Sequence, residues 1–74
     1  RDNIRVNAIA PGYVDTPILS MVPDNIKETM GNELPIGRLG KDTEIANLIC
    51  YLLSDDASFI TGAIIPIDGG FTAK

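Results

Sequence analysis

Ile4 to Ala10 reads I-R-V-N-A-I-A. Ile4, Val6, Ala8 and Ala10 recur at every second position, with Ile9 opposite them, which is the period of a β-strand over residues 4–10. Pro11-Gly12 ends the run. A different period governs residues 42–54. Ile45, Leu48, Ile49, Leu52 and Leu53 follow the i, i+3, i+4, i+7, i+8 spacing of an amphipathic helix. Lys41 or Asp42 takes its capping position, and Asp42 and Glu44 put negative charge in its first turn. Residues 63–68, A-I-I-P-I-D, predict a second strand bounded by Gly62 and Gly69-Gly70. Pro66 has no amide hydrogen and assigns that strand to a sheet edge.

Between the first strand and the helix the pattern is lost. Pro17, Pro23 and Pro35, with Gly31, Gly37 and Gly40, predict a long irregular connection over residues 16–40. Within it, residues 23–30 suit a short helix with Pro23 at its first position and Asp24 near its amino end. Ile18, Leu19, Met21, Val22, Ile26 and Met30 make it too apolar for a solvated linker. A lid or binding segment fits this composition, and so does a surface helix packed on the core. Ala46, Cys50 and Leu53 form a second apolar stripe on helix 42–54. That helix requires cover on two sides: the sheet on one, and further chain or another subunit on the other. Burial within one subunit is the alternative account of the second stripe.

The order strand, connection, helix, strand implies a parallel pair joined by a crossover. Two strands do not make a stable sheet. The expected fold is therefore α/β, the terminal strand-loop-helix-strand unit of a doubly wound parallel sheet, incomplete in these 74 residues. The start at Arg1-Asp2-Asn3, without methionine, reads as a cut end.

Charge and composition remove several function classes. The net charge is −4 and there is no Lys/Arg cluster, so a nucleic-acid surface is not expected. No apolar run approaches the roughly 20 residues that span a bilayer, and no secretory signal is present. A cytoplasmic protein is the expectation. Cys50 is the only cysteine and histidine is absent, which leaves no internal disulfide, no His-ligated zinc and no Ser-His-Asp triad within the chain. No metal site is expected.

The candidate chemistry lies at the bend, P-G-Y-V-D-T. Ligands of open parallel sheets bind beyond the carboxyl ends of strands. Gly12 admits close approach to the backbone. Val14 offers one N–H and one C=O, the complement of a carboxamide, and Thr16 adds a hydroxyl. Pro11 and Pro17 limit the freedom of the segment. An ordinary strand-ending turn, with Thr16 capping the next helix, accounts for the same residues.

The combination of I-R-V-N-A-I-A-P-G-Y-V-D-T, P-I-G-R-L-G, E-I-A-N-L-I-C-Y-L-L-S-D-D-A-S-F-I-T-G and I-D-G-G closely resembles the carboxyl-terminal third of the classical short-chain dehydrogenase/reductase family. It looks most like the branch of 3-oxoacyl-(acyl-carrier-protein) reductases. The resemblance implies a Rossmann-type domain, an NAD or NADP cofactor and a small carbonyl or alcohol substrate. It makes Pro11, Gly12, Val14 and Thr16 cofactor-binding, with Val14 on the nicotinamide carboxamide and Thr16 near the amide and pyrophosphate. It makes residues 17–39 a mobile substrate loop, with Ile18, Leu19 and Met21 nearest the pocket. It also implies a homotetramer formed through helix 42–54 and strand 63–68. The family's Gly-rich phosphate turn is missing here, and so is its Tyr-x-x-x-Lys proton donor: four residues past Tyr13 stands Pro17, and past Tyr51 stands Asp55. No catalytic residue is expected in the 74 residues, which alone are expected to be inactive. A truncated association module without activity is the alternative.

Overall fold

A computed structural model describes residues 3–73. Strand β1 (Ala8–Pro11) lies parallel to β4 (Ile64–Ile67), in the register Ala8↔Ile64, Ile9↔Ile65, Ala10↔Pro66 and Pro11↔Ile67. The first strand thus starts four residues later than its alternation predicts. Its partner departs from extended geometry there: Gly62 has φ of 72°, so residues 4–7 form no regular ladder, although the Gly62 N–H still donates to the Val6 carbonyl at 2.7 Å. Asn7 bridges the gap with its side chain. Its amide donates to the Ile60 carbonyl (3.0 Å) and its oxygen accepts from the Ala63 N–H (3.0 Å). Arg5 donates to the carbonyls of Leu52 (2.9 Å), Ser54 (3.2 Å) and Ile60 (3.3 Å), tying residue 5 to the carboxyl end of the long helix that ends at Leu53.

Both strand prolines sit where they remove no ladder bond. Ala8 N–H donates to Ala63 O and Gly12 N–H to Ile67 O, so the main-chain groups of the even residues of β1 bond to those of the odd residues of β4. Pro11 and Pro66 therefore turn their nitrogens to the outer edges, where a missing N–H costs least.

The connection is more ordered than its composition predicts. A 3-10 turn covers Pro17–Met21, and α1 covers Asp24–Asn32. Pro23 precedes α1 as its N-cap, its carbonyl accepting from Ile26 (3.0 Å) and Lys27 (3.1 Å). The helix runs past Met30 to Asn32, carrying Gly31 into a tight crossing: a Cβ there would lie 3.1 Å from Arg38 Cα. A two-residue strand, β3 (Gly40–Lys41), then pairs in parallel with β2 (Val14–Asp15). The two ends of the connection are thereby held together.

Helix α2 (Asp42–Leu53) follows at once. The Lys41 N–H donates to the Glu44 carboxylate at 2.9 Å, satisfying one amide at the helix start. Ile45 and Leu48 are half-buried and Leu52 is buried, while Ile49, Cys50, Tyr51 and Leu53 are exposed. A cleft between β1 and α2 is lined by Asn7, Ile9, Ile49 and Leu52. Ile4, Val6 and Ile64 are exposed, and Val6 also borders the cleft. The predicted alternation is real, but the face carrying most of its apolar residues is the bare one.

The core is correspondingly small. Its buried apolar residues are Leu34 (4% exposed), Leu52 (8%) and Ala57 (1%). The chain exposes 5625 Å², whereas a compact monomer of its mass exposes about 4,400 Å². Its radius of gyration is 14.7 Å, against about 11 Å for a compact 74-residue domain. The molecule is a slab of 50 × 27 × 14 Å. Among the described residues no helix is long and apolar enough to cross a membrane.

Candidate functional site

The bend follows β1 at its carboxyl end. Gly12 is required by its neighbour: a Cβ there would lie 2.8 Å from Asp68 Cβ and 2.9 Å from Asp68 Cα. Two backbones meet in a space that any side chain would fill. The next residue, Tyr13, is held at three points. Its carbonyl accepts from Gly40 N–H at 2.9 Å. Its hydroxyl donates to Glu33 Oε2 at 3.3 Å. Its ring meets Phe71, with centroids 6.1 Å apart and planes inclined at 52°.

Val14 begins β2, paired with Gly40. Successive peptide groups of an extended chain point to opposite edges. Because the Tyr13 carbonyl is turned to Gly40, the N–H and C=O of Val14 point to the other edge. Thr16 precedes the 3-10 turn with φ −117° and ψ 168°. Its carbonyl accepts from Leu19 N–H at 2.9 Å, but its hydroxyl makes no cap hydrogen bond. The bland account of Thr16 as a side-chain cap therefore fails, although its backbone does close the turn.

The structure brings Pro11 and Gly12 together with Tyr13, Leu34 and Phe71 around a recess of about 300 Å³. Val14 and Thr16 do not line that recess. Of the loop residues, Ile18 is 86% and Met21 92% exposed, while Leu19 is half-buried. Tyr51 lies away from the bend, its hydroxyl donating to the Asp56 carbonyl at 3.3 Å. Among the described residues no group of three or more His, Cys, Asp or Glu side chains is placed to hold a metal ion.

Two ion pairs fix the surroundings. Lys27 of α1 lies 3.4 Å from Asp15 of β2. Arg38 reaches Glu44 at 2.8 Å and 3.2 Å through its two terminal nitrogens. The hydrogen bond from Arg38, aided by the Lys41 N–H, lowers the Glu44 pKa to about 2. Both pairs are solvent-facing, and each contributes little to stability by itself.

Sequence reasoning missed the other side of the bend. Asp68 Oδ1 accepts from Gly70 N–H at 3.0 Å, and Oδ2 accepts from the Thr72 N–H (3.2 Å) and hydroxyl (2.8 Å). The Thr72 hydroxyl above all, and then the backbone amides, hold the Asp68 pKa below its usual value against the opposing effect of desolvation. The signal was present: Asp-Gly-Gly is the composition of a turn in which a carboxylate bonds its own backbone two residues on. The glycines by themselves mark only a strand boundary.

Residues 1–72 match the family described as enoyl-(acyl carrier protein) reductase. The chain is 53% identical over 70 residues to cis-4-hydroxycyclohexanecarboxylate dehydrogenase of Sinomonas cyclohexanicum, covering 95% of this chain and 28% of that protein. It is 48% identical over 68 residues to the 3-oxoacyl-(acyl-carrier-protein) reductase FabG of Thermotoga maritima, covering 92% of this chain and 28% of that protein. The crystal structure of a short chain dehydrogenase family protein from Francisella tularensis superposes with a TM-score of 0.84 at 38% identity, over 97% of this chain and 34% of that one. The chain thus spans about 28% of the length of these curated relatives. Parallel strands, helix order and relatives agree: the chain belongs to the short-chain dehydrogenase/reductase family of oxidoreductases.

Proposed function

We propose that the chain is the carboxyl-terminal segment of an NAD(P)-dependent enzyme that interconverts a carbonyl and a secondary alcohol. The observation that carries this reading is the edge of β2. Past the carboxyl end of a parallel strand, Val14 turns its N–H and C=O away from β3, and the Thr16 hydroxyl caps nothing. An amide-bearing ring needs one acceptor and one donor, and that pair of main-chain groups offers both. The nicotinamide cofactor supplies hydride chemistry when bound, and the protein supplies its position. In this reading Pro11 and Gly12 set the bend, Val14 holds the carboxamide, and Thr16 donates to the amide or a phosphate oxygen. Ile18, Leu19 and Met21 cover the substrate. The relatives are named for a hydroxycyclohexanecarboxylate and a 3-oxoacyl group, which supports a substrate of the carbonyl/secondary-alcohol class.

The bare sheet face and the exposed residues of α2 belong to the same proposal. The surface in excess of a compact monomer is what a slab exposes when its neighbours are removed. Ile4, Val6 and Ile64 are apolar enough to lie under another layer of the domain, and Ile49, Tyr51 and Leu53 under a second subunit of a homotetramer. The segment by itself has neither phosphate turn nor proton donor and is proposed to be inactive. A cytoplasmic setting is part of this reading and suits a chain whose lone cysteine can form no internal disulfide.

Thr16→Ala in the whole enzyme tests the reading. Loss of one hydrogen bond to the cofactor weakens its Kd by about 2-fold to 10-fold. Titration by nucleotide fluorescence reads this directly. An unchanged Kd together with an unchanged kcat would end the assignment.

A further inference from the structure

We propose that the turn at residues 68–72 is a positioning device for the bend, with Phe71 as its contact residue and Asp68 as its brace. This rests on the reading that Val14 and Thr16 hold the cofactor, and it concerns how they are kept in place. Three stretches distant in sequence meet here. The bend contributes Gly12 and Tyr13. The turn contributes Asp68 to Thr72. The end of the connection contributes Leu34 to Ile36.

Each pair is in tight contact. Gly12 has no room for a Cβ against Asp68. Tyr13 packs on the Phe71 ring at 6.1 Å. The Ile36 N–H donates to the Gly69 carbonyl at 3.0 Å. A Cβ on Gly69 would lie 2.7 Å from Ile36 Cγ2, and one on Gly70 3.1 Å from Pro35. Both glycines have positive φ, 63° and 91°, so the turn has a shape that other residues adopt only with strain.

The Asp68 carboxylate fixes that shape through three hydrogen bonds, two of them to Thr72. Phe71 is carried within the same turn, its N–H donating to the Asp68 carbonyl at 3.2 Å. The ring then reaches Tyr13, next in sequence to Val14. Through this turn a shift at the end of the connection is felt at the bend. The Ile36 contact and the Tyr13 contact lie on one rigid element only a few residues long. The end of the connection at residues 34–36 and the bend beside Val14 are therefore held against the same turn.

The test uses the whole enzyme and four variants: Phe71→Ala, Phe71→Tyr, Asp68→Asn and Thr16→Ala. Phe71→Ala is expected to weaken cofactor Kd by about 3-fold to 10-fold, the scale of a lost aromatic pair. Phe71→Tyr is expected to restore it. Asp68→Asn keeps the size of the side chain, reduces its acceptor capacity toward Thr72 and weakens Kd in the same direction. A merely structural role would lower melting temperature and scale kcat down for all substrates, with cofactor Kd of the folded fraction unchanged. That pattern overturns the proposal. So does a Kd within twofold of the parent in Phe71→Ala while Thr16→Ala weakens it, which leaves the cofactor reading intact. Unchanged Kd in both variants removes the reading and the proposal together. Should Phe71→Ala fold poorly, Asp68→Asn and Thr72→Val carry the same comparison, and unchanged Kd in both overturns the proposal.

Discussion

The bend at residues 11–16 and the 3-10 turn that follows it differ in how they are held. The bend is braced from several sides: Gly12 against Asp68, Tyr13 against Gly40, Glu33 and Phe71, and β2 against β3. The turn at Pro17–Met21 has local bonds, Leu19 N–H to Thr16 O and Val22 N–H to Leu19 O, and exposes Ile18 and Met21 almost fully. One segment is fixed by distant chain; the next is fixed by its own backbone and a proline. A group that must be placed to a fraction of an ångström belongs on the first. Contacts that must open and close over different molecules belong on the second. The two-residue β2–β3 pair marks the boundary between them.

The largest effect that would break this contrast is expected at Gly12. Gly12→Ala forces a Cβ into the Asp68 backbone at 2.9 Å, and backbone cannot rotate away. A loss of about 1–3 kcal/mol is expected, measured by urea denaturation of the whole enzyme, together with weakened cofactor binding. If the variant is as stable as the parent, the bend is looser than its contacts state. Ile18→Ala and Met21→Ala give the opposite pattern. Stability is expected to stay within about 0.5 kcal/mol, because neither side chain is covered. Substrate KM is expected to rise while cofactor Kd holds. Equal changes in KM and Kd would show that the turn and the bend act as one unit.

The smallest effect concerns pH. The Arg38 hydrogen bond, then the Lys41 N–H, lower the Glu44 pKa from its usual 4.5 to about 2. A lowered folded pKa means that ionised Glu44 stabilises the fold above pH 4.5 and that the contribution is lost as pH falls from 4.5 toward 2. The side chain faces solvent, so the amount is small. Comparing acid-unfolding midpoints of Glu44→Gln and the parent checks it: the parent should show the steeper fall in that window.

The legible parts of this molecule were those encoded locally. Helix α2 announced itself because Ile45, Leu48 and Leu52 repeat at the helical period, and its observed end at Leu53 lies one residue from the predicted one. Strand β4 was bounded by glycines and carries Pro66 on its outer edge, as the missing amide required. β1 starts later than predicted because alternation from Ile4 says nothing about whether a partner strand stays regular that far; at Gly62 the partner leaves extended geometry. Helix α1 ran two residues past its predicted end because Gly31, a helix breaker by propensity, is needed there for contact with Arg38. The β2–β3 pair is too short to leave any period at all. At the site, Val14 and Thr16 were readable from the motif, but the Tyr13–Phe71 contact joins residues from nearly opposite ends of the chain, and no local pattern could report it.

Pro66 also decides where this sheet can grow. Its nitrogen faces outward from β4, so an incoming strand on that side would meet a ring where it needs a donor. The free side of β1 interposes no such obstacle until Pro11, at its very end. Of the two free edges, that of β1 is therefore the better suited to accept a further strand.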